Sequence, residues 1–266
     1  ILQDNPQVII LDSTYGTQKY GLHLFTIIII TRVGITIPIA HCFVEREAEN
    51  NFTWALEVLR GLYIKYEIEL ARIIFHDRDC ACINALHAIF PTTLTMLCRW
   101  HIDTDVRVWL RVAFGEEKYE FCKSYLNAEG RMAFSSYEEI LNAPTEEEYV
   151  GAVEKLEHYS ENRDNREIWA NFARYLKKEW LLHKKLCVKA WTTYIRNYGM
   201  DTTSPGESVH AGLKAWLRNG KVNIVTFLQK MGPFYDSHRH RYDAKLAQLK
   251  NSALTQFNRG AGHLFY

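Results

Sequence analysis

No stretch of this sequence is apolar for long enough to cross a membrane as a helix. The longest such run, Leu22–Ile30, is interrupted by His23 and Thr26 and falls far short of the ~20 residues a bilayer demands. Nor is there a charged start followed by an apolar stretch and a small-residue cleavage site, so nothing reads as a secretory signal. Cysteine is sparse and scattered (Cys42, Cys80, Cys82, Cys98, Cys122, Cys187) without the spacing of a disulfide framework, which favours a reducing compartment. Proline is scarce, at 6 residues, and charged residues reach only 24%, which excludes a disordered chain. No repeat or low-complexity tract occurs, which excludes a solenoid. The chain opens on Ile1 rather than Met, with a strand-like run a few residues later, so a segment of a longer protein with further domains is expected.

What is present is a core and an uneven distribution of charge. Of the 266 residues 47% are hydrophobic, enough for one large core or two smaller ones. The net charge is only +1, yet residues 115–170 hold 14 acidic and 6 basic residues, while residues 171–250 hold 15 basic and 5 acidic. Solvated helix faces account for such runs, and a basic segment can also form a phosphate-binding surface.

The first hundred residues alternate strand and helix signals. Val8–Leu11 ends in Asp12. Leu22–Thr31 and Ile35–Phe43 are β-branched runs joined by Arg32-Val33-Gly34, which predicts a hairpin. Asn50 or Asn51 is expected to cap a helix to about Tyr66, with Trp54, Leu56 or Leu59, and Leu62 along one side. Ala71–Phe75 predicts a strand ending at His76-Asp77, and Asp79 a capped helix that stops before Pro91. Thr93–Leu97 predicts a fifth strand, followed by a helix from about Trp100. This order makes a mixed α/β sheet. After residue 112, helical spacing (Tyr149, Val153, Leu156, Tyr159; Trp169, Phe172, Leu176, Trp180) takes over until a final helix near Pro205. The expected organisation is 1–112 as the first part of a core, 113–202 as a helical insertion, and 203–266 as the core's last helices.

Asp12 and Asp77 stand at strand ends, where functional side chains of open α/β sheets collect. A turn- or cap-forming role is the commoner one for an isolated Asp. If the two strands are neighbours, the carboxylates sit side by side and need a cation, and hard oxygen donors suit Mg²⁺ or Mn²⁺. Glu207 is the candidate third carboxylate. It also stands in capping-box spacing from Ser204, with Pro205 at the first helical position. His210 and Lys214 follow on its face at i+3 and i+7. Cys98-Arg99-Trp100-His101 is a Cys-x-x-His pair; with Cys80-x-Cys82 it could be called a zinc site, but residues i and i+2 of a helix diverge by about 200°. A small buried Cys and a helix-start His are the structural alternatives.

Taken together and in order, these segments resemble the Mutator-like element (MULE) transposases. Leu11-Asp12-Ser13-Thr14-Tyr15-Gly16-Thr17 with Tyr20-Gly21 is similar to the first-aspartate segment, and Phe75-His76-Asp77-Arg78-Asp79 with Asn84-Ala85 and Phe90-Pro91 to the second. Leu97-Cys98-Arg99-Trp100-His101-Ile102 resembles the family's Cys-x-x-His signature. Trp180, His183, Ala190-Trp191 and Thr202-Thr203-Ser204 with Glu207-Ser208, His210 and Leu213-Lys214 resemble the last block. The resemblance covers roughly residues 8 to 230. It implies a ribonuclease-H-like sheet of five strands with an all-helical insertion, and Asp12, Asp77 and Glu207 as catalytic residues binding two Mg²⁺ or Mn²⁺ ions. Cys98, His101, His210 and Lys214 become DNA-contacting or supporting residues. The expected partners are transposon terminal-repeat DNA and target DNA, the expected assembly a homodimer or larger, and the expected place the nucleus, with no membrane. The family usually has an Arg and an apolar residue where this chain has Pro205-Gly206. That departure motivates the alternative of an inactive or domesticated DNA-binding protein. A stand-alone ribonuclease H would account for the triad but not for the insertion.

Overall fold

The structure, a computed structural model, describes residues 1–114, 126–161, 165–193, 204–218 and 222–261; of 160–161, 204–205, 207 and 253–261 it describes the backbone only. Strands β1 (Val8–Thr14), β2 (His23–Ile30), β3 (Thr36–Val44), β4 (Ile73–His76) and β5 (Leu94–Leu97) form one sheet in the order β3-β2-β1-β4-β5. The first three are antiparallel neighbours, and β4 runs parallel to β1. This is the mixed α/β sheet expected from the order of strands and helices.

Local chemistry accounts for the connections. The β2–β3 hairpin closes through Thr31, whose hydroxyl donates to the Ile35 carbonyl (2.8 Å), and Gly34 supplies the left-handed turn (φ +75°). Pro38 sits on edge strand β3 beside a register shift at Ile27/Ile28, a place where its missing N–H costs little. Helix α1 (Glu49–Lys65) corrects the expectation on two points. It starts at Ala48 without a side-chain cap, while the Asn51 amide bonds the Arg46 carbonyl instead. Its buried stripe is Phe52, Ala55, Leu56, Leu59 and Tyr63, whereas Trp54 and Leu62 are exposed. Phe52 sets that rotation by packing edge-on against Phe25 of β2 (5.1 Å). Helix α2 (Cys80–Ile89) is capped as expected, the Asp79 carboxylate accepting the Cys82 N–H.

The chain divides into two compact units, Ile1–Leu94 with Ser204–Tyr266, and Thr95–Thr203. In the first, the sheet has two apolar faces. Alternate residues Ile9, Leu11, Phe25, Ile27 and Ile29 join α1 and α2 in the larger core. Leu24 on the opposite face packs with Leu213 and Leu217 of α8 (Ser204–Leu217) and with Phe227, Met231 and Phe234 of α9 (Ile224–Ala261).

In the second unit every described element beyond β5 is helical: α3 (Arg99–Phe114), α4 (Ala128–Asn142), α5 (Glu146–Glu161), α6 (Arg166–Glu179), a 3₁₀ turn (Leu181–Leu186) and α7 (Lys189–Thr192). Trp169, Phe172 and Leu176, one face of α6, are fully buried, and Trp109 stacks on Tyr175 at 5.2 Å. The Trp169 indole donates to Glu129 (3.0 Å), so its polar edge is satisfied within the core.

Candidate active site

The register of β1 with its neighbours brings functional residues to one row. Asp12 pairs with Thr26 of β2, and Thr26 with His41 of β3. Directly opposed residues of antiparallel strands share a face, so the three lie side by side on the face covered by α8 and α9. On the other side of β1 the parallel register runs Val8↔Ile73, Ile9↔Ile74, Ile10↔Phe75. The pairing ends there, and Asp77 follows β4 in the turn just past His76.

The two aspartates have different surroundings. Asp12 is 4% exposed, within β1. Asp77, just past β4, is exposed. Its carbonyl accepts from the buried His76 ring (2.7 Å) and the Asp79 N–H (2.9 Å), while its carboxylate accepts the Arg78 N–H (2.6 Å). These bonds curl the chain sharply at the strand end.

Helix α8 meets Asp12 at two points one turn apart. A Cβ built on Gly206 would stand 2.8 Å from Asp12 Oδ2, so the helix backbone itself lies against the carboxylate. His210 Nδ1 is 3.4 Å from the same oxygen, and its Nε2 is 3.0 Å from the Thr26 hydroxyl. Glu207 lies in α8 immediately after Gly206; its side chain falls outside the described residues. Among the described residues no group of three or more His, Cys, Asp and Glu side chains is placed to hold a metal ion.

The predicted stripe of Glu207, His210 and Lys214 does not share one environment: His210 is buried and Lys214 exposed. Cys98 is buried at the end of β5, and its sulfur accepts the His101 N–H (3.3 Å), which makes it the opening contact of α3. Cys80 is exposed and Cys82 buried, with burial raising the Cys82 thiol pKa, so the two do not form a joint ligand pair. Of the basic residues near the end, Arg239 faces Asp243 (4.0 Å) and Arg241 donates to the Thr36 carbonyl (3.3 Å). Among the described residues no helix is long and apolar enough to cross a membrane.

Thr26 and His41 are the site's neighbours that sequence reasoning passed over, and Gly206 was read there only as a departure from the family. The signal for Thr26 was a lone hydroxyl residue in a buried β-branched run. His41 Nδ1 lies 2.6 Å from the Tyr235 hydroxyl. Burial chiefly, with His210 and His238 nearby, lowers the His41 pKa from 6.5 to about 3.

Comparison with known proteins places these observations. A PKS-NRPS hybrid synthetase, cheA, of Chaetomium globosum is 23% identical over 227 residues, covering 82% of this chain and 5% of that protein. This chain therefore spans only about a twentieth of that relative's length. The Drosophila P element transposase strand transfer complex superposes with a TM-score of 0.45 at 8% identity, over 88% of this chain and 78% of that one. The MULE transposase domain model matches residues 8–105, the segment that carries β1 to β5 with both Asp12 and Asp77. Residues 8–105 of this chain are therefore similar to the MULE transposase domain.

Proposed function

We propose that this chain is the catalytic core of a DNA transposase that hydrolyses phosphodiester bonds at transposon ends and transfers the resulting 3′ ends to target DNA. The observation that carries this reading is that Asp12 lies on β1 and Asp77 just past its parallel neighbour β4, both inside the family-matched segment. Two neighbouring carboxylates repel each other unless a cation lies between them. The donor set of this reading suits hard divalent ions: Asp12 and Asp77, with Glu207 in α8, the helix whose Gly206 packs on Asp12. Asp12, Asp77 and Glu207 would hold Mg²⁺ or Mn²⁺, two ions in this reading. Such ions supply an activated water or 3′-hydroxyl and stabilise the leaving oxygen.

The chain's own residues supply position. Strand β1 buries Asp12, the hydrogen-bonded turn after β4 presents Asp77 at the surface, and α8 closes against Asp12 through Gly206 and His210. The snug fit of Gly206 favours an active arrangement over the reading of Pro205-Gly206 as decay. The partners in this proposal are terminal-repeat and target DNA, held by two or more copies on paired ends, in the nucleus. Phosphate contacts from the basic stretch 171–250 would contribute a salt-dependent share of binding.

The test is Mg²⁺- or Mn²⁺-dependent nicking of the element's own terminal-repeat DNA by the full-length protein and by Asp77→Asn. Cleavage by the parent that disappears in the variant is the expected result. A parent that binds this DNA without cutting it would instead make the chain a transposase-derived DNA-binding protein.

A further inference from the structure

We infer that His210 is a positioning residue for Asp12, with Thr26 as its support; the inference rests on the reading of Asp12 as a metal ligand. The ring of His210 bridges two strands' worth of polar groups in an otherwise apolar layer. Nδ1 faces Asp12 Oδ2 at 3.4 Å, Nε2 faces Thr26 Oγ1 at 3.0 Å, and the His210 and Asp12 side chains are 4% and 3% exposed. An ionised carboxylate can only accept, so a hydrogen on Nδ1 is the one that would favour this approach. Nε2 then accepts from the Thr26 hydroxyl when the ring is neutral and donates to it when the ring is charged. In both cases Nδ1 is the ring nitrogen that faces Asp12.

The sequence builds this arrangement from elements that are rigid for other reasons. Thr26 is fully buried and directly opposite Asp12 in the β1–β2 ladder. Its β-branch stiffens χ1, which fixes the hydroxyl that orients the ring. One helical turn before His210, Gly206 packs against the same Asp12 oxygen. Helix α8 therefore confines Oδ2 from two sides, and the Asp12 carboxylate loses the freedom to rotate. A ligand oriented in advance by its outer hydrogen-bond partners binds metal more tightly, and loss of such partners typically costs about 10- to 100-fold in affinity. His210 acts here through Asp12.

Mn²⁺ titration of the full chain, followed by calorimetry and by electron paramagnetic resonance, tests this without reference to cleavage. His210→Ala is expected to weaken Asp12-dependent Mn²⁺ binding by roughly 10- to 100-fold, and His210→Asn, which keeps an N–H donor, to restore most of it. Thr26→Val is expected to weaken binding in the same direction and Thr26→Ser to preserve it. In the metal-free protein, ¹⁵N NMR should find His210 Nδ1 protonated. Should His210→Ala fail to fold, the Thr26 pair decides. Equal Mn²⁺ affinity in His210→Ala or Thr26→Val and the parent, or an unprotonated Nδ1, overturns the inference while leaving the metal reading in place. A parent chain whose Mn²⁺ binding does not change on Asp12→Asn overturns the metal reading, and the inference with it.

Discussion

Gly206 of α8 lies so close to the carboxylate of Asp12 that a Cβ there would stand 2.8 Å from Oδ2 and 3.5 Å from Cγ. The contact explains why this position takes no side chain, and it links the last block of the sequence to the first. A residue with any side chain must push either Asp12 or the start of the helix aside, and His210 already restrains the same oxygen from one turn on.

Gly206→Ala is therefore expected to fold but to lose function out of proportion to stability. Overpacking of this kind costs roughly 1–3 kcal/mol. Mn²⁺ binding and cleavage should fall far more than that, because the displaced group is the Asp12 carboxylate itself. Thermal denaturation and Mn²⁺ titration of parent and variant check this together. A variant with parental Mn²⁺ affinity would mean that the contact is not part of the site.

The helical unit makes a separate prediction through Asp103. Its carboxylate accepts from Arg99 Nε (2.8 Å) and from the hydroxyl of fully buried Tyr137, and the Arg99 guanidinium lies 5.4 Å from the Tyr137 ring. Arg99 is only 16% exposed, so Asp103→Ala would strand a largely desolvated cation together with a buried phenol. Removing one partner of a buried pair costs about 3–5 kcal/mol. The 30% exposure of Asp103 puts the expected loss near the lower end, roughly 3 kcal/mol. Asp103→Asn, which still accepts from both groups, should lose less. Equal stability of Asp103→Ala and the parent in urea denaturation would remove this network from the account of the unit's stability.

The strands were legible along the chain because each is a short apolar run bounded by turn residues or helix signals, and Asp79 announced its helix as a cap. The rotation of α1 was not. Trp54 and Leu62 fit a helical stripe as well as Phe52, Leu56, Leu59 and Tyr63 do, and only the position of Phe25 on β2 selects between them. For the site, Asp12 and Asp77 could be singled out as acidic residues closing apolar runs, although β1 runs on past Asp12 to Thr14, and that β1 and β4 are parallel neighbours is stated by no local signal. The pairing of His210 with Thr26 joins positions 184 residues apart, and nothing near either one specifies it. Pro205-Gly206 read as a loss when only the chemistry of the missing Arg was considered. The steric reason for Gly206 comes from the carboxylate packed on it.

The third element of the row, His41, predicts a pH dependence of stability. Its Nδ1 is 2.6 Å from the Tyr235 hydroxyl, and the rings of Phe227, Phe234 and Tyr235 surround it. The ionisable groups facing it are Tyr235, His210 and His238, and burial first, then the two histidines, lowers its pKa from 6.5 to about 3. Burial together with Arg241 lowers the pKa of His238 as well. Tyr235 stays protonated throughout, since burial raises its pKa to about 12. Between pH 6.5 and about 3 the unfolded chain binds a proton at His41 that the folded chain does not. Stability is then full above pH 6.5 and falls as the pH drops through this window, with His41 alone accounting for about 2 kcal/mol at pH 5. His41→Gln removes the titration and keeps a polar group near Tyr235, so the loss between pH 7 and pH 5 should shrink by about that amount. Urea denaturation of both proteins at the two pH values measures the difference. An equal loss in parent and variant would place the acid sensitivity elsewhere, with His238 the next residue to replace.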